Sequence, residues 1–90
     1  MKKYLALIAC FFLAHSMYSQ TYSELVEKSA TAIEKKDYLA AEQILKQAMR
    51  KEPANPGNVM LLTNLGTVQR NLKQYDDALI SYDAVLAKYP

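Results

Sequence analysis

Polar and apolar positions recur with a helical period along most of this chain. Tyr22, Leu25, Val26, Ser29 and Ile33 fall at steps of three or four, the spacing that gathers side chains on one helix face. Tyr38, Ala41, Ile44, Leu45, Ala48 and Met49 draw a second stripe. Val59, Leu62, Leu65, Gly66, Val68 and Leu72 draw a third, and Tyr75, Ala78, Leu79, Tyr82, Val85 and Leu86 a fourth. The pattern predicts four amphipathic helices. No run alternates long enough to predict a strand.

The breaks between stripes carry their own marks. Asp37 is placed to cap the second helix and Asn58 the third. Asp76 and Asp77 fall in the first turn of the fourth helix, and Arg50 and Lys51 in the last turn of the second, each sign matched to the helix dipole. Pro53 ends the second helix, and Ala54-Asn55-Pro56-Gly57 resists helix formation.

The four stripes are two copies of one unit. An offset of 37 places Lys36-Asp37-Tyr38 on Lys73-Gln74-Tyr75, Leu25 on Leu62 and Ser29 on Gly66. It also places Ala41 on Ala78, Leu45 on Tyr82, Ala48 on Val85 and Pro53 on Pro90. Leu65-Gly66 followed by Tyr75, Ala78, Tyr82 and Pro90 resembles the tetratricopeptide repeat: Leu-Gly, an aromatic, Ala, an aromatic and a closing Pro. The first unit matches through Ser29, Tyr38, Ala41, Leu45, Ala48 and Pro53. The chain departs from the pattern in having Val85 at a usually small position and no tryptophan. Its unit also exceeds the usual period of about 34, with the excess near Asn55–Asn58.

The resemblance implies an all-α fold of tandem antiparallel hairpins forming a short right-handed solenoid. Repeat 1 is expected over 22–53, a linker over 54–58 and repeat 2 over 59–90. Ser29 or Gly66 facing Ala41 or Ala78 lets two backbones approach closely, with Tyr38, Tyr75 and Tyr82 filling the space around the contact. The resemblance also implies a protein or peptide partner held on the inner curve by the first helix of each hairpin. That face maps to Ser23, Val26, Ala30 and Ile33 in the first unit, and to Met60, Thr63, Asn64, Thr67, Arg70 and Asn71 in the second. Some family members clamp a terminal carboxylate with Lys and Asn. Val26 and Ala30 stand at two of those places and only Asn64 fits, so that function is not supported. A stacked unit needs neighbours, about three repeats in all. Leu79 and Leu86 on the last helix are therefore expected to meet more repeats or a second copy.

The first 19 residues are of another kind. Lys2-Lys3, an uncharged stretch from Tyr4 to Ala14, and the small and polar residues after it read as a cleaved export signal, with the cut near 16–20. The uncharged run is too short for the roughly 20 apolar residues of a membrane-spanning helix. Leu7-Ile8-Ala9-Cys10 resembles a lipoprotein box, but Phe11, Phe12 and Leu13 continue the apolar run. Cys10 therefore reads as an inert apolar residue, with a lipid anchor as the alternative.

Removing this segment changes the chemistry that remains. The lone Cys, the lone His and both Phe go with it. The net charge of +2 goes with Lys2 and Lys3, leaving a neutral domain with no electrostatic call for nucleic acid or an anionic membrane. Common zinc sites, thiolate chemistry and a histidine-assisted serine are all without their residues. Gly57 and Gly66 make no phosphate loop. No cofactor, metal or catalytic residue is expected. The leading function is an interaction scaffold of the bacterial cell envelope, in the periplasm or elsewhere in it. A front module of a longer exported enzyme or signalling protein, and a lipid-anchored assembly factor, are the alternatives.

Overall fold

A computed structural model describes residues 20–88, so the segment expected to be an export signal, Cys10 and the closing Pro90 lie outside the described residues. Four helices form: α1 Tyr22–Glu34, α2 Tyr38–Lys51, α3 Asn58–Asn71 and α4 Tyr75–Lys88. Among the described residues there is no strand. Each helix packs chiefly on its neighbours in sequence, α1 on α2, α2 on α3 and α3 on α4. The result is all-α, two helical hairpins in tandem.

The helix ends follow local chemistry. Thr21 caps α1: its hydroxyl oxygen accepts from the Glu24 backbone N–H at 3.1 Å, and its O–H donates to the Glu24 carboxylate. The sequence has the capping-box pattern Thr-x-x-Glu, with the Glu24 carboxylate meeting the Thr21 hydroxyl in place of its backbone N–H. Asp37 caps α2 by accepting from the Ala40 N–H. Arg50 and Lys51 sit in its last turn, and Asp76 and Asp77 in the first turn of α4.

Asn58, expected as the cap of α3, is not the cap. Gly57 holds that position without a side-chain bond, and Asn58 is the first helical residue, 4% exposed. Its amide is engaged elsewhere, as described below. The break is also displaced from the expected 54–58. With α2 ending at Lys51 and α3 starting at Asn58, residues 52–57 connect the hairpins.

The two hairpin turns are copies of each other. In the first, the Lys36 N–H donates to the Ile33 carbonyl and the Asp37 N–H to the Ala32 carbonyl. In the second, Lys73 donates to Arg70 and Gln74 to Gln69. This paired pattern closes a helix through a left-handed residue. Lys36 and Lys73 take that conformation at φ 61° and 63°. The two positions are related by the sequence offset, so the repeat extends to backbone geometry.

One core joins the hairpins: Leu25, Ala32, Ala41, Leu45, Ala48, Leu61, Leu65 and Val68, with Tyr22, Val26, Ile33, Tyr38, Ile44, Met49 and Leu72 packed around it. The small residues expected at the helix crossings are inside: Ser29, Ala41, Gly66 and Ala78 are all buried. Two expectations fail. Leu61 is the buried leucine at the start of α3, at 2% exposure, whereas Leu62 is half-buried. Tyr75, expected to fill space between helices, stays 59% exposed. The pairing of α3 with α4 is instead filled by Tyr82, whose ring lies so close over Gly66 that a Cβ there would sit 2.6 Å from it.

That contact inverts an ordinary rule. Glycine to alanine inside a helix usually stabilises by about 1 kcal/mol. Here Gly66→Ala forces the Tyr82 ring aside, and we expect a loss of about 1–3 kcal/mol in urea unfolding, largely recovered when Tyr82 is also replaced by Leu.

Candidate protein-interaction face

The candidate surface lies on α3, and the sequence holds that helix at three places. At its start, the Tyr22 hydroxyl donates to Asn58 Oδ1 at 2.8 Å. The Asn58 amide donates to the Glu52 carbonyl at 2.8 Å and to the Pro53 carbonyl at 3.4 Å. One side chain thus binds the beginning of α1, the connecting segment and the beginning of α3. Asn55 adds a local turn, its Oδ1 accepting from the Gly57 N–H at 2.8 Å.

In the middle, Gln69 is 3% exposed and bridges two hairpins. Its Oε1 accepts from the Ser81 hydroxyl of α4 at 2.6 Å, and its Nε2 donates to the Glu42 carboxylate of α2 at 3.4 Å. Glu42 also meets the Lys46 ammonium at 3.6 Å. Glu42 and Ser81 are themselves buried. At the third place, Tyr82 covers Gly66 and its hydroxyl meets the Thr67 hydroxyl at 3.0 Å. No buried side-chain polar atom among the described residues lacks a partner.

With its apolar side fixed, α3 turns a polar stripe outward. Met60, Thr63, Asn64, Thr67, Arg70 and Asn71 share one line along the helix at steps of three and four. Met60 is 68% exposed; Thr63, Arg70 and Asn71 are exposed, and Asn64 and Thr67 half-buried. Thr63 and Thr67 donate their hydroxyls back to the carbonyls of Val59 and Thr63, and the Asn71 amide donates to the Thr67 carbonyl. These bonds orient the side chains before any partner arrives.

The first unit provides less. Ser23 and Ala30 are exposed, but Val26 and Ile33 are half-buried and belong to the packing around the core. Sequence reasoning missed the polar positions that place the face. Gln69, Glu42 and Ser81 fall outside the four apolar stripes, and only their opposition across three helices explains their burial. The described residues hold no cluster able to bind a metal ion, and none of their helices is long and apolar enough to cross a membrane.

No family model and no curated protein matches the chain. A solved structure does: the crystal structure of a tetratricopeptide repeat protein from Parabacteroides merdae ATCC 43184. It shares 54% sequence identity over 76% of this chain, with a TM-score of 0.74. The chain spans 27% of that protein's length.

The interactions that hold α3 predict graded losses in urea unfolding. Gln69→Leu leaves Ser81 and Glu42 buried without their partner and costs about 1–3 kcal/mol; Tyr22→Phe removes one bond and costs about 0.5–1.5. Partial burial, and then the Glu52 charge, raise the Tyr22 hydroxyl above its ordinary value of 10.0. The fold therefore favours the protonated form that donates to Asn58. This contribution is whole below 10.0 and is lost as pH rises through the higher folded value. Alkaline unfolding of the Tyr22→Phe variant should lack that component.

Proposed function

We propose that this chain, whose described residues form two tetratricopeptide repeats, is an interaction scaffold of the bacterial cell envelope, exported by its first 19 residues. It binds an extended peptide or a partner helix through α3. The carrying observation is the outward line from Met60 to Asn71, set by bonds to its own helix and by the buried contacts behind it.

The chemistry of that line fits a peptide. Thr63, Asn64 and Asn71 offer donors and acceptors suited to backbone amides, Met60 an adaptable apolar contact, and Arg70 a fork for a carboxylate. The line holds one cation and no acid, which favours neutral or acidic partners. The family resemblance supports binding over catalysis. A front module of a longer exported protein is the second reading, favoured by the greater length of the Parabacteroides protein. A lipid anchor on Cys10 is a third, decided by the mass of the mature N-terminus.

Capture from envelope extract tests the scaffold. The Arg70→Glu/Asn71→Ala variant should lose captured partner by about tenfold, as expected for roughly 1.4 kcal/mol or more at a binding hot spot. Its unfolding midpoint should fall only slightly, since both side chains are exposed and the change removes only the last-turn charge of Arg70 and the Asn71–Thr67 bond. Equal capture by the two proteins would remove α3 as the binding face.

A further inference from the structure

We infer that Met60, at the head of the α3 line, is an oxidation site: a peroxide converts its thioether to a sulfoxide, which the Asn64 side chain then holds. The site itself rests on the fold, and its consequence for binding rests on the α3 reading.

Sulfur is scarce in this domain. Among the described residues there is no cysteine, and Met49 and Met60 are the two sulfur-bearing side chains. Their surroundings are opposite. Met49 packs against the shared core, whereas Met60 is 68% exposed. With no thiol to react first, an oxidant reaching this surface meets one open thioether.

The neighbours of Met60 supply what the product needs. The oxygen of a sulfoxide carries partial negative charge and accepts hydrogen bonds. Helical side chains lean toward the N-terminus and residues four apart are neighbours, so Asn64 lies back over Met60. Asn64 is half-buried, and among the described residues no hydrogen bond uses its amide. Thr63, three residues on, already gives its hydroxyl proton to the Val59 carbonyl. The Thr67 proton goes to the Thr63 carbonyl, and an Asn71 proton to the Thr67 carbonyl. Asn64 therefore carries the uncommitted donor one turn from the sulfur.

The step balances without a cofactor. A sulfur lone pair attacks one peroxide oxygen, and the S–O bond forms as the O–O bond breaks. Sulfur gives up two electrons, and the departing oxygen leaves as water. A methionine sulfoxide reductase reverses the change: two thiols become a disulfide and the sulfoxide oxygen leaves as water. Oxidation makes the one apolar side chain of the line polar and draws Asn64 into an internal bond. A face that offered an apolar contact and a free amide then offers neither.

Hydrogen peroxide titration of the purified chain, followed by peptide mass mapping, tests the site. Met60 should gain oxygen about tenfold faster than Met49, and urea should bring the two rates together. Equal rates in the folded chain overturn the inference. In a proton–nitrogen NMR spectrum the Asn64 side-chain amide signals should shift on oxidation and stay fixed in Met60→Leu. Signals that stay fixed in both overturn the hold by Asn64. Capture from envelope extract tests the consequence. Peroxide should lower it severalfold for the native chain, and Met60→Leu, whatever its starting level, should capture alike before and after treatment. Native capture that survives complete oxidation of Met60 overturns the switch. If Arg70→Glu/Asn71→Ala captures as well as the native chain, the α3 face fails alone, and the mass and NMR readings still decide the oxidation site.

Discussion

Everything in this fold depends on α3 being shared. An amphipathic helix of about 14 residues is marginal alone and gains most of its stability from packing. α1 and α2 cover one another only in part. Leu61, Leu65 and Val68 complete their core from the second hairpin, while Gly66 on the same helix accepts the ring of Tyr82 from α4. The two requirements differ in kind. The contact with the first hairpin needs aliphatic volume, whereas the contact with α4 needs the absence of a side chain. Gln69 lies where both neighbours meet and satisfies a polar group on each. A buried polar bridge of this sort adds little net stability over an apolar one. It does penalise a rotated α3, which would strand Gln69 and Ser81 and leave Glu42 with Lys46 alone.

That division explains what the sequence made legible. Helix existence, pairing and the burial of the small residues were readable because they follow from periodicity and from an offset shared by many positions. Thr21 was readable too, through Glu24 three residues on, though the four stripes alone do not point to it. Asn58 misled because its residue type suits a cap, and only the nearness of Tyr22, far away in sequence, shows why its side chain is engaged elsewhere. Tyr75 misled because it matches a repeat position, yet α4 leaves it exposed. Leu61 and Leu62 are both leucine, so composition could not say which of the two faces the core.

The proposed binding line and the outer face of α4 are different surfaces. The line on α3 is polar, orders itself through bonds to its own backbone, and rests on buried contacts. The face of α4 is aliphatic and aromatic, with Tyr75, Leu79 and Leu86 exposed.

The Tyr22–Asn58 bond has a mechanical meaning. Residues 52–57 are longer than a usual connection in such repeats and contain two prolines, Pro53 and Pro56. Left untied, they would behave as slack. Asn58 instead laces them to the start of both hairpins. Under tension along the chain, these bonds lie in the load path before the connector can extend. The first hairpin and α3 should therefore resist a pull together, yielding in one step instead of creeping.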